Sequence, residues 1–129
     1  DVVVPVDKIA PFLVYVHEEA DKQGVYIKSF GHAGDGNLHI YCCSNDLEED
    51  EFKRRVKKLM DASYAKCTEF EGQVSGEHAI GHAKKQYLRE SVGETAYAIM
   101  GQIKTVFDPN EILNPGKVCH DPERGAEAC

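Results

Sequence analysis

Val25-Tyr-Ile-Lys-Ser-Phe30, which alternates in apolar and polar character, is joined to a next strand, Leu38 to Cys43, by Gly31-His-Ala-Gly-Asp-Gly-Asn37. Alternation with period two marks a half-buried strand. A connection this short, holding three glycines, makes the strands antiparallel neighbours. The chain is therefore built around a β-ribbon with a tight glycine loop at one end.

The flanking segments extend this frame. Val2-Val3-Val4 is a short β-branched run that stops at Pro5 and reads as a strand. From Asp7 to Gln23, apolar residues Ile9, Phe12, Leu13, Val16 and Ala20 recur at helical spacing. Asp7 is the expected N-cap, and Gly24 is placed to end the helix. A long helix is expected from Leu47 to Phe70, with Phe52, Val56, Leu59, Met60, Tyr64 and Cys67 as its apolar stripe. Acidic residues 48–51 suit its N-terminus, and the pairs Glu51/Arg55 and Asp50/Arg54 are spaced for ion pairing on a solvated face. Gly72 to Ser75 reads as a fourth strand. The order β-α-β-β-α-β is that of a ferredoxin-like α+β fold, an antiparallel sheet with two helices on one face. Two further helices follow, from Gly81 to Ser91 and from Glu94 to Phe107, the latter with Ala96, Ile99, Met100, Ile103 and Phe107 on one face. Residues 119–129 are expected to form a disordered tail rich in glycine, proline and charge.

Length and composition set limits. At 129 residues the chain has the size of one domain. No apolar run reaches the ~20 residues a membrane span needs. Residues 1–5 lack the charged region and cleavage site of a signal peptide. The formal charge of −7 excludes a nucleic-acid backbone as partner. The five cysteines form no CxxC pair and read as reduced thiols, the other reading being a ligand or redox role for Cys119 or Cys129.

Three segments carry chemistry. In Gly31-His32-Ala-Gly-Asp-Gly-Asn37-Leu-His39, a tight turn brings two imidazoles toward one point, and imidazole is the commonest ligand of zinc-like metals. The plain alternative is a turn whose histidines only cap or hydrogen-bond. In Ser75-Gly-Glu77-His78-Ala-Ile-Gly-His82, Glu77 supplies a third ligand type, and His78 or His82 a general base. Its plain alternative is a helix N-terminus capped by Ser75 or Glu77. The third segment, Phe107-Asp-Pro-Asn-Glu-Ile-Leu-Asn-Pro-Gly-Lys-Val118, is rich in turn formers anchored by Ile112 and Leu113.

At these three places the sequence resembles one family. GHAGDGNLH, VSGEHAIGHAKKQYL and IKTVFDPNEILNPGKV are similar, in order, to the C-terminal part of FAD-linked oxidases of the vanillyl-alcohol-oxidase superfamily, the D-lactate dehydrogenase, glycolate oxidase D-subunit and D-2-hydroxyglutarate dehydrogenase relatives. The resemblance runs from Val2 to Val118 and makes residues 1–118 a cap domain. It implies oxidation of a D-2-hydroxy acid to a 2-oxo acid, with hydride passing to FAD held mainly by an N-terminal domain of the same polypeptide. It assigns a divalent metal, Zn or Mn, to His32, His39 and Glu77, and the role of base to His78. It assigns substrate contacts to Asn37 and Tyr41, and flavin contacts to Asn114 and Lys117. The partners implied are the FAD-binding domain, a small 2-hydroxy acid, and an electron-acceptor subunit of iron–sulphur or electron-transfer-flavoprotein type. The location implied is cytoplasmic, or peripheral to a membrane within a complex.

The sequence departs from the family at three points. Ala79 stands where the family usually has glycine, which constrains the turn. Tyr41 stands where hydroxyglutarate relatives have asparagine, which turns the expectation to a lactate or glycolate type. No flavin-binding domain fits in 129 residues. The chain is accordingly expected to be a C-terminal fragment, inactive by itself, with an apolar face that self-associates. Two other readings compete: a stand-alone ferredoxin-like module binding a small molecule or metal without catalysis, and a metallohydrolase using His32, His39 and Glu77.

Overall fold

The computed structural model describes residues 1–119, in two compact units, the first running from Asp1 to His78 and the second starting at Ala79. Cys129 and the rest of the expected tail beyond Cys119 lie outside the described residues.

In the first unit the two runs form β2 (Tyr26–His32) and β3 (Asn37–Cys43). They pair antiparallel, from Tyr26 opposite Cys43 to His32 opposite Asn37. The strands reach further into the glycine loop than the sequence suggests, leaving a single 3-10 turn, Ala33–Asp35, between them. Glycine is required where the loop closes. Gly36 has φ +73°, and a Cβ there would stand 2.0 Å from the Val4 carbonyl oxygen.

A short strand β1 (Val2–Val3) pairs antiparallel with β3, giving the order β1-β3-β2. The expected fourth strand is reduced to one antiparallel bridge, Val3 to Gln73, closed by two hydrogen bonds of 2.9 and 2.7 Å. Pairing stops there because β1 has only two residues before Val4 turns its N–H to Gly36 and Pro5 withdraws a donor. The bridge puts this segment beside β1, as the ferredoxin-like order demands.

Helix α1 (Ile9–Gln23) begins after a 3-10 turn, Val6–Lys8, so Lys8 rather than the expected Asp7 stands at the N-cap. Pro11 sits in its first turn, where no N–H partner is needed. Gly24 ends it in the left-handed conformation, as expected. Helix α2 (Glu49–Glu69) starts two residues later than expected, because Ser44 Oγ accepts from the N–H groups of Asp46 and Leu47 and holds that stretch as a turn. Arg54 pairs with Glu51 rather than Asp50, and Arg55 reaches both Glu51 and the carbonyl of Gln23 at the end of α1.

The core lies between these helices and one sheet face. Phe12, Val16 and Ala20 of α1 and Leu59, Tyr64 and Cys67 of α2 are buried with Val2, Ile27 and Leu38. Each large apolar side chain buried this way contributes roughly 1.5–3 kcal/mol. Strand alternation sends Phe30, His32, His39 and Tyr41 to the opposite face, where Phe30 and Tyr41 stay more than half exposed.

The second unit holds α3 (Lys85–Val92) and α4 (Glu94–Phe107), packed together and joined at Gly93 with an Arg89–Glu94 ion pair across the junction. The first of these helices starts four residues later than the sequence suggests, since Ala79 and Gly81 both adopt positive φ. After α4, Asp108 accepts from the N–H groups of Ile112 and Leu113 and from the Lys104 ammonium. The chain then returns to the start of the unit, where Val118 donates to the Gly81 carbonyl. The apolar stripe of α4 stays open: Ile99, Ile103 and Phe107 are 49%, 54% and 80% exposed. No helix among the described residues is long and apolar enough to cross a membrane.

Candidate functional site

The open face of the β2–β3 ribbon carries both loop histidines because of its register. His32 closes β2 and lies opposite Asn37, while His39 lies opposite Phe30. The ring centroids of His32 and His39 stand 6.2 Å apart, edge to face. The second segment comes to them from residues 75–78. His39 Nε2 is 2.8 Å from Glu77 Oε1, and His32 Nδ1 is 3.8 Å from the same oxygen. His78 stacks on His39 with ring centroids 4.6 Å apart.

One ligand atom from each of His32, His39 and Glu77 lies within 4.8 Å of the other two. Two ligands bound to one tetrahedral zinc at about 2 Å stand roughly 3.4 Å apart. The observed 2.8 and 3.8 Å bracket that spacing. Two imidazoles and a carboxylate are a donor set that suits zinc and its neighbours and leaves coordination positions for water or substrate. Burial is graded across the set. The His39 side chain is 7% exposed, while Glu77 and His32 are half-exposed or more. The site is thus anchored at His39 and open at His32.

Position 1, to which the sequence drew no attention, proves central. The Asp1 carboxylate accepts hydrogen bonds from Asn37 Nδ2 (3.1 Å), Ser75 Oγ (2.8 Å) and the N–H groups of Gly76 (3.0 Å), Glu77 (3.3 Å) and His78 (3.1 Å). Its Oδ1 also faces His39 Nδ1 at 4.0 Å, beyond hydrogen-bond range. Asp1, His39 and His78 form a second group of closely spaced potential ligand atoms. No local pattern announces Asp1, since its partners are up to 77 positions away.

The other expected site residues are placed as follows. Tyr41 is on the same open face, stacked on Phe30 at 5.1 Å. Asn37 is buried, with its amide nitrogen committed to Asp1 and its Oδ1 without a hydrogen-bond partner among the described residues. Ser75 and Glu77 cap no helix, because none starts there. His82 belongs to the second unit, with Nδ1 3.4 Å from the Gly116 carbonyl oxygen. In that unit Asn114 and Lys117 are joined by a 2.9 Å hydrogen bond and line a cleft of about 410 Å³ with Met100, Ile103, Phe107 and Leu113. Among the described residues Cys42, Cys43, Cys67 and Cys119 form no disulfide, and burial raises the Cys42 thiol above its ordinary value.

The family model described as FAD linked oxidases, C-terminal domain, matches residues 1–118. Among curated proteins, a D-lactate dehydrogenase of Anaerostipes hadrus is 60% identical over 120 residues, covering 93% of this chain and 25% of that protein. The glycolate oxidase subunit GlcD of Bacillus subtilis is 37% identical over 118 residues, 92% of this chain and 25% of its own. A D-2-hydroxyglutarate dehydrogenase of Stutzerimonas stutzeri is 34% identical over 121 residues, 92% of this chain and 26% of its own. The chain spans about a quarter of the length of these relatives.

Proposed function

The chain belongs to the family of FAD-linked oxidase C-terminal domains, and on that premise we propose that it caps a flavin-dependent dehydrogenase which oxidises a D-2-hydroxy acid of lactate or glycolate type to the 2-oxo acid. The observation that carries this reading is the convergence of His32, His39 and Glu77 on one face of the ribbon, with His78 stacked against them. When bound, a divalent ion such as Zn or Mn supplies Lewis acidity toward the substrate oxygens, and FAD supplies the hydride acceptor.

The chain's own residues do the rest. His32, His39 and Glu77 hold the ion, and the buried His39 fixes its place. The substrate lies against the open sheet face, with Tyr41 and Phe30 flanking it and Asn37 supporting the loop from below. An imidazole nitrogen of His78 takes the hydroxyl proton as the carbinol carbon gives up its hydride and the C=O bond forms. Asn114 and Lys117 contact the flavin side of the complete protein, which adds an N-terminal FAD-binding domain and passes electrons to an acceptor protein.

The names of the relatives support the reaction class, and Tyr41 supports a small substrate over one with a second carboxylate. The experiment is anaerobic mixing of the full-length protein with D-lactate, glycolate or D-2-hydroxyglutarate while flavin absorbance is followed. Bleaching by D-lactate or glycolate, with little by D-2-hydroxyglutarate, is the expected result. A flavin reduced by none of the three would end this reading.

A further inference from the structure

We propose that Asp1 is the positioning residue of this site, setting Glu77 and His78 against His39 through a single carboxylate; the claim rests on the functional reading above. Three observations carry it. The first is the number and order of donors. Three successive backbone N–H groups, Gly76, Glu77 and His78, point to one carboxylate, together with the Ser75 hydroxyl. Charge-assisted bonds of this kind are stronger than neutral ones. They fix the backbone at the two residues whose side chains meet His39. With the backbone held, Glu77 Oε1 reaches His39 Nε2 and the His78 ring lies flat on the His39 ring.

The second observation is steric. A Cβ at Gly76 would stand 1.8 Å from Asn37 Nδ2. The loop is therefore pressed onto Asn37, whose amide in turn donates to Asp1. Asn37 belongs to β3, two residues from His39, so the clamp ties the loop to the strand that carries the buried ligand.

The third observation is the unpaired ring nitrogen. His39 Nδ1 is buried and has no hydrogen-bond partner among the described residues. Asp1 Oδ1 faces it at 4.0 Å. A metal-ligating histidine commonly turns its other ring N–H to a carboxylate, which orients the ring and raises its basicity. Asp1 Oδ1 faces that N–H and accepts it only by closing from 4.0 Å when Nε2 serves the ion. One side chain, its carboxylate 1% exposed, thus contacts the loop of Glu77 and His78 and faces the back of His39.

The test titrates Zn²⁺ into metal-stripped full-length protein as wild type, Asp1→Asn, Ser75→Ala and Glu77→Ala. In parallel, histidine-labelled metal-free protein is examined by NMR for the ring-to-ring NOE between His39 and His78. Asparagine keeps the shape but replaces one acceptor oxygen with a donor that faces other donors. Asp1→Asn is expected to weaken Zn²⁺ binding by about 10- to 100-fold, the usual cost of losing a ligand's outer partner, and to remove the NOE. Ser75→Ala, which deletes one donor, is expected to shift both in the same direction by less. A merely structural Asp1 would lower stability and leave Zn²⁺ affinity and the NOE of the folded protein unchanged, and that result overturns the proposal. If Asp1→Asn does not fold, an unchanged affinity and NOE in Ser75→Ala overturn it instead. If wild type binds no Zn²⁺, or Glu77→Ala binds it as tightly, the metal reading fails by itself, and the NOE still decides the role of Asp1.

Discussion

The imidazoles of His39 and His78 stack with their planes 17° apart, one ring buried and the other exposed. The arrangement separates two tasks. The buried ring presents Nε2 to Glu77, and under the proposed function the exposed ring meets the substrate hydroxyl. His78→Asn in the full-length protein is expected to lower kcat by about 10²- to 10⁴-fold, the usual contribution of a general base, while Zn²⁺ binding persists. Steady-state turnover of D-lactate with a dye acceptor, beside metal analysis, checks this. A variant with normal kcat would remove His78 from the chemistry.

His32 and His39 should part company in stability. Both are expected to lower metal affinity when replaced by alanine. Only His39 is buried, so His39→Ala also leaves a gap beneath Phe30, whose ring centroid is 5.6 Å away. It is expected to cost about 1–3 kcal/mol in the metal-free protein, and His32→Ala almost nothing. Urea denaturation of the two variants measures the difference, and equal midpoints would refute it.

Gly36 closes the ribbon where no side chain fits. Its φ is +73° and its Cβ position lies 2.0 Å from a backbone oxygen, which cannot swing aside as a side-chain tip can. Gly36→Ala is expected to destabilise by more than the ~1 kcal/mol that a left-handed alanine costs, because Val4 must also move. Thermal unfolding of the variant checks this, and an unchanged midpoint would show that the loop can rearrange freely.

What the sequence disclosed follows from the range of each interaction. The ribbon, the helix stop at Gly24 and the approach of the two loop histidines depend on neighbours a few positions apart, and periodicity reports those. Asp1 escaped because its donors come from residues 37 and 75–78, and no local pattern encodes a contact of that separation. The fourth strand was visible as the short stretch Gly72 to Ser75, but its length was set by the two-residue strand it faces. The late start of α3 comes from positive φ at Gly81, the residue at which the sequence places the helix start and whose missing Cβ permits that turn.

Ala79 carries a cost that glycine would not. At φ +62° its Cβ crowds the following carbonyl. Ala79→Gly is expected to relieve roughly 1 kcal/mol of that strain, offset in part by the greater freedom of the unfolded glycine chain. Chemical denaturation should therefore show a small net gain in stability. A clear loss would mean that the methyl group makes a contact worth more than the strain.

Asp108 gives the second unit a pH dependence of known sign. The Lys104 ammonium, followed by the N–H groups of Leu113 and Ile112, holds its carboxyl below the ordinary aspartate value. A carboxylate depressed in the folded state stabilises above its unfolded value of about 3.9, and that contribution is lost as pH falls through the folded value. Asp108→Asn keeps one acceptor for the turn but loses the charge that faces Lys104. The variant is expected to be less stable than wild type at neutral pH, with the gap closing as both are acidified below pH ~3.9. Denaturant melts at neutral and acid pH test it. A gap that stays constant across the range would show that Asp108 holds the turn by shape alone.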